Sequence, residues 1–100
     1  CFVGQISRFS AKPLFDALEY CGMIPTKQAF YNPESRQLRS IRALYYQGYH
    51  IVAMGRVAQE QLTKWAIPHI YIIHPAARGK FRKKKKYLEH VRMRLWEHVS

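Results

Sequence analysis

The chain reads as an α/β three-layer sandwich built on a mostly parallel four-stranded sheet. Three observations predict it. Short apolar runs of strand type alternate with segments of helical period along the whole sequence. The strand-type runs are apolar almost throughout, as strands covered on both faces require. Gly or Pro punctuates most of the transitions between them. The resulting order, β-α-β-α-β-α-β-α, implies right-handed crossovers that lay helices on both faces of the sheet. One hundred residues, 48% of them hydrophobic, suit one compact domain over residues 1–100 with a modest core.

Phe2-Val3-Gly4 reads as the end of a short first strand. Lys12 to Cys21 then carries Leu14, Phe15, Leu18 and Cys21 at helical spacing and closes on Gly22, a natural C-terminal cap. Ala29-Phe30-Tyr31 is a second strand stopped by Asn32-Pro33, after which Ser35 is expected to cap a helix with Leu38, Ile41, Leu44 and Tyr45 on one side. Gln47-Gly48 breaks that helix, and Ile51 to Met54 forms a buried strand ending at Gly55. A third helix runs from Arg56 to about Trp65 with Val57, Ala58, Leu62 and Trp65 facing inward. Ile67-Pro68 leads into His69-Ile70-Tyr71-Ile72-Ile73-His74, a strand that ends at a His-Pro step. The last helix starts within the lysine run and continues to about His98, with Leu88, Val91, Leu95 and Val99 in register.

Seventeen Lys and Arg against six Asp and Glu give a net charge of +11, and seven of the cations fall between Arg78 and Lys86. A charge so concentrated points to an anionic partner, and nucleic acid comes first because a dense basic run binds phosphate and releases its counterions. The lysines enter a helix at its N-terminal end, where the macrodipole disfavours cations and a bound phosphate would relieve the repulsion. Arg36, Arg39 and Arg42 form a second basic stripe, read as an ordinary exposed helix face. No apolar run approaches the length of a bilayer span and nothing at the start resembles a signal peptide, so a cytoplasmic, non-secreted location and no membrane partner are expected. The chain begins at Cys1, without Met and inside a strand, so an N-terminal piece is expected to have been trimmed. Cys1 and Cys21 lack metal spacing and are expected to pack as small hydrophobes, and the histidines show no zinc-ligand pattern. No metal or cofactor is expected.

Ligand-contacting groups in open α/β sheets lie just past the carboxyl ends of the strands. Here those positions hold Gly4-Gln5, Asn32, Gly55 and His74-Pro75. In this order and spacing, Phe2-Val3-Gly4-Gln5, the Leu14 to Leu18 helix with Gly22, Asn32 after Phe30-Tyr31, Ile51-Val52-Ala53-Met54-Gly55-Arg56-Val57-Ala58 and His74-Pro75 resemble the successive motifs of the uracil-DNA glycosylase superfamily. The resemblance implies that fold, a hydrolase activity in DNA repair by base flipping, and a set of roles. His74 would hydrogen-bond the uracil oxygen as charge develops on it, Gln5 would orient water or contact the base, and Gly4 would line the site. Asn32 would read the pyrimidine edge and Phe9 would stack on the flipped base. Arg78, Lys80, Arg82, Lys83, Lys84, Lys85 and Lys86 would hold the DNA backbone. Duplex or single-stranded DNA is the implied partner, with a protein partner as the alternative.

The departures bear on activity. The loop after Gln5 reads Ile6-Ser7-Arg8-Phe9 and holds no carboxylate to position water, the nearest acid downstream being Asp16 within the first helix. Ala76 stands where the family has Ser, and the chain is shorter than usual members. Two readings therefore stay open: a DNA-binding protein that recognises, with or without excision, a flipped uracil or modified base, and a non-catalytic nucleic-acid-binding or protein-interaction module on the same fold. An RNA-binding component of a larger particle is a third.

Overall fold

A computed structural model of the chain describes residues 1–6, 8–76 and 84–99. Four strands, β1 (Phe2–Val3), β2 (Phe30–Tyr31), β3 (Val52–Met54) and β4 (Ile70–Ile72), alternate with four helices, α1 (Arg8–Tyr20), α2 (Leu38–Tyr46), α3 (Arg56–Lys64) and α4 (Lys84–Val99). All the pairings are parallel and the strand order is β2-β1-β3-β4. Phe2 stands beside Phe30 and Val52, and Val52, Ala53 and Met54 stand beside Ile70, Tyr71 and Ile72. The first crossover leaves β1 toward β2 and the second returns past β1 to β3, so the order reverses between β1 and β3.

Side chains of successive strand residues point to opposite faces, and this divides the interior into two cores. Phe2, Val52, Met54, Ile70 and Ile72 face Leu14, Ala17 and Leu18 of α1 and Tyr87, Val91 and Leu95 of α4. Val3, Ile51 and Ala53 face Ile41 of α2 and Ala58 and Leu62 of α3. The three-layer sandwich is thus an all-parallel sheet with a helix pair on either side. Phe2 and Phe30 stack across β1 and β2 at 5.5 Å between ring centroids, with Phe15 of α1 5.7 Å from Phe30. Each fully buried Leu or Phe here stabilises the fold by about 1.5–3 kcal/mol. Cys1 is buried and Cys21 half-buried, both as free thiols packed with the cores.

Four local expectations need correction. Helix α1 begins at Arg8, a turn before Lys12, with Pro13 inside it. Proline removes only the bond its own N–H would make to the carbonyl four residues back, and the buried positions from Leu14 onward hold the helix regardless. Ser35 does not cap α2. It opens a short 3-10 turn, Ser35–Gln37, behind extended Glu34, and it is the Gln37 side-chain oxygen that accepts the Asn32 N–H, at 2.8 Å. Val57 does not face inward: it is 73% exposed, because Ala58 and Leu62, four residues apart, define the buried side of α3. Strand β4 ends at Ile72, so His74 follows the strand in a turn rather than closing it. Leu88 packs on the first core as expected in α4, and the side chain of Val99 lies outside the described residues.

Helices α1 and α3 end in the same way, with the residue after the cap in left-handed conformation and paired hydrogen bonds returning to the last turn. After α1 these are Gly22 to Glu19 and Met23 to Leu18, with Gly22 at φ 81°. After α3 they are Ala66 to Thr63 and Ile67 to Leu62, but the left-handed position is held by Ala66 at φ 58°. A Cβ in that region costs roughly 1 kcal/mol. Ala66→Gly is therefore expected to stabilise the protein slightly, by up to about 0.5 kcal/mol after the added entropy of the unfolded chain is counted. A urea denaturation midpoint that rises with an unchanged slope would show it.

Candidate nucleic-acid interface at the carboxyl edge

Because the strands are parallel, the residues that follow them emerge on one edge. Strand order sets the distances to be crossed. His74 leaves β4 at the outside of the sheet, whereas Gln5 leaves β1 two strands away, with the end of β3 between them. The His74 ring spans that gap: its Nε2 is hydrogen-bonded to the Gln5 carbonyl oxygen. Its Nδ1 accepts the Ala76 N–H at 3.0 Å. An Nδ1 that accepts leaves the proton on Nε2, so His74 is the Nε2–H tautomer and donates to Gln5.

Two glycines let the strand ends converge this closely. A Cβ on Gly55, which follows β3, would stand 3.0 Å from the His74 Cβ, and Gly55 itself has φ 88°, a conformation side chains rarely adopt. A Cβ on Gly4 would stand 2.9 Å from the Met54 Cβ and 3.0 Å from its carbonyl oxygen. The Gly55 N–H donates to the Ile72 carbonyl at 2.9 Å, and the Gly4 N–H donates to the Tyr31 carbonyl at the same distance, which draws β4 and β2 to their neighbours right at the edge. Asn32 follows Tyr31 and is half-buried beside this junction, with its main chain tied down by Gln37 and Glu34.

The structure thus brings His74, Gly4 and the Gln5 backbone together at the point where the strand order reverses, the place where open α/β sheets bind ligands. The Gln5 residue is exposed and Ile6 turns back onto the first core. Phe9 belongs to α1, and its side chain lies outside the described residues, as do Arg78, Lys80, Arg82, Lys83 and the side chain of Lys84. Lys85 and Lys86 are exposed in the first turn of α4. Asp16, the first acid in the sequence, is on α1 in an ion pair with Lys12 at 3.4 Å. Burial pushes the Cys21 thiol up, which favours the protonated form, against a smaller opposing effect of the Arg92 charge. Among the described residues no group of three His, Cys, Asp or Glu could hold a metal ion, and no helix is long and apolar enough to cross a membrane.

Sequence reading missed Tyr87, His90 and Arg94, all on α4. Tyr87 is 1% exposed and its hydroxyl donates to the Ile73 carbonyl at 2.9 Å, while the Ile73 N–H donates to His90 Nε2 at 3.1 Å. Arg94 donates to the Tyr71 carbonyl at 2.9 Å. Their spacing of three and four residues is visible in the chain, but an amphipathic pattern counts polar residues as outward. A cavity of about 650 Å³ opens at the opposite, amino edge among Cys1, Phe2, Met23, Tyr49, Val52 and Ile70. It is mostly apolar and no carboxylate lines it among the described residues, so the convergence of polar groups at the carboxyl edge is the stronger candidate.

Comparison with protein-family models, curated proteins and solved structures returned no match.

Gly55→Ala tests the geometry of the edge directly. The added methyl group meets His74 in a backbone conformation that already penalises it, so a loss of about 1–3 kcal/mol is expected. The His74 imidazole resonances should shift in the same variant, because the His74 side chain has to give way by a few tenths of an ångström. Heat denaturation followed by circular dichroism and side-chain NMR would read the two effects separately.

Proposed function

We propose that the chain is a DNA-binding protein of uracil-DNA-glycosylase type that holds an extruded uracil or modified base at its carboxyl edge. The observation that carries this reading is the meeting of His74 and the Gln5 backbone across the end of β3. A single N–H donor is held there at the sheet's switch point by an acceptor, the Gln5 carbonyl, that a base carbonyl would replace. The Gly4-Gln5 and His74-Pro75 segments that suggested the family are separated by 69 residues, and they are neighbours in space.

In this role the base leaves the stack before it reaches the edge, since neither its carbonyls nor the anomeric carbon are accessible in the duplex. His74 Nε2–H then turns from Gln5 to the base oxygen. If the glycosidic bond breaks, its electron pair passes to the base, and a donor of this kind stabilises the developing oxyanion by on the order of 3 kcal/mol. Water must attack the sugar carbon and lose a proton. Gln5, whose carbonyl meets His74, carries an amide that can orient water without accepting its proton, which passes instead to bulk solvent. Excision is therefore slow compared with an enzyme that has a carboxylate there. Lys85 and Lys86, with the basic residues from Arg78 onward, supply phosphate contacts of the kind that dominate affinity without reading sequence.

The second reading, a binding module without chemistry, is favoured by the same missing acid: no Asp or Glu precedes Asp16. End-labelled oligonucleotides with one uracil, in duplex and single-stranded form, separate the two after treatment with hot alkali. Strand scission that disappears in His74→Ala while binding persists is the expected result for the glycosylase reading, whereas binding without scission leaves the module. An excision rate unaffected by His74→Ala would sink the mechanism. Replacing Lys85 and Lys86 with Ala is expected to weaken binding to all sequences and to lower the slope of log K against log salt by about 2. An unchanged slope would remove Lys85 and Lys86 from the interface.

A further inference from the structure

Strand β4 lies at one end of the sheet, so only one of its sides faces another strand. The Ile70 N–H and Ile72 carbonyl pair with Ile51 and Gly55 of the β3 side. The groups of Tyr71 and Ile73 point the other way, and an edge of that kind is ordinarily left to water or to another chain. Here α4 takes them up. Tyr87, His90 and Arg94, at successive helical turns, bond the Ile73 carbonyl, the Ile73 N–H and the Tyr71 carbonyl. Both polar groups of Ile73, the residue immediately before His74, are thereby held by side chains of one helix.

We propose that Tyr87 and His90 are positioning residues for His74, and that His90 is a proton-operated latch whose protonation removes the acceptor for the Ile73 N–H and frees the end of β4. The inference deepens the reading of His74 as the group that meets the base, and rests on it only for the effect on DNA. A neutral His90 accepts at Nε2, and a protonated one has two donors and no acceptor. The Ile73 N–H is then left facing a donor, and the backbone that places His74 over Gly55 loses one of its two ties. In sequence the basic residues from Arg78 to Lys83 follow His74 and precede α4, so the bonds that tie Ile73 to Tyr87 and His90 join the two described ends on either side of them.

The surroundings of His90 set the direction of its titration. Burial first, and then the positive charge of Arg94, lower its pKa from the ordinary value of 6.5. On its own helix the neighbouring ionisable groups among the described residues are Lys86 and Arg94, one turn to either side, with Glu89 and Tyr87, whose ring centroid is 6.3 Å away. Along β4 they are Tyr71 and His74. Helix α1, packed on the same side, brings the Lys12–Asp16 pair, Glu19, Tyr20 and Cys21, with Arg92 contacting Tyr20. A histidine held neutral in the fold binds fewer protons than in the unfolded chain. Its contribution to stability is complete above pH 6.5 and is lost as pH falls from there through the lower folded value.

Amide exchange of the whole chain, read by NMR between pH 8 and pH 5, tests the latch without any activity. Ile73 protection, corrected for intrinsic exchange, is expected to fall on acidification by roughly five- to tenfold more than that of Ile70, the effect one hydrogen bond carries. His90→Gln retains an acceptor that does not titrate, and should keep the protection while flattening its pH dependence. His90→Leu should lose the protection at every pH. His74 imidazole resonances should follow Ile73 in the wild type and in Tyr87→Phe. A pH dependence that survives in His90→Gln but vanishes in His74→Gln would assign the proton to His74 and overturn the proposal. The uracil-oligonucleotide affinity of His90→Gln, measured over the same range, is expected to be flatter than wild type. A latch seen by exchange with no DNA binding at any pH would refute the function while leaving the positioning role intact.

Discussion

Strands of two or three residues form too few ladder hydrogen bonds to hold a sheet together, and in this chain burial on both faces takes their place. Val3, Ala53 and Ile72 are completely buried and Phe2 and Met54 nearly so, with alternate residues assigned to opposite cores. A register slip of one residue would send Phe2 and Met54 to the side of Ile41 and Leu62 and move Val3 and Ala53 into the core those two had filled, undoing the packing of both faces. The helices therefore determine the register of the strands as much as the strands hold the helices. Everything at the carboxyl edge inherits its precision from that arrangement.

The edge itself is a problem in close approach. Three strand ends have to meet if a residue beyond β4 is to touch one beyond β1, and a side chain on either Gly4 or Gly55 would stand in the way. Glycine removes the obstacle but supplies no rigidity. The rigidity comes from outside the sheet, from α4, whose Tyr87 and His90 hold Ile73 and whose Arg94 holds Tyr71. The same bonds occupy the exposed side of β4, which would otherwise be a template for adding a strand from another molecule. Covering the edge and placing His74 are in this fold one piece of construction.

The charge and the site are also joined by chain connectivity. The basic segment lies between His74 and Tyr87, and those two ends are fastened together through Ile73. Seven of the chain's cations are thus carried, in sequence, between two residues that the structure brings together at the carboxyl edge.

Much of this was legible from residue types alone. The four strands, the four helices and their alternation followed from apolar runs bounded by Gly and Pro, because burial on two faces leaves a continuous signature. His74, Gly4 and Gln5 stood out because they lie just past those runs, where backbone groups are free to meet a ligand. Local signals failed where a partner from elsewhere decided the outcome. Ser35 looked like a cap, but Gln37 reached back to Asn32; Val57 looked buried, but the packing of Ala58 and Leu62 turned it outward. Tyr87, His90 and Arg94 gave no sequence signal of their role, since each serves a backbone group on another element. Sequence by itself determined which segments are apolar enough to become strands and helices, a property of each stretch alone. Only the tertiary structure decided which polar groups meet, because hydrogen bonds between distant residues exist only after the two cores have placed them.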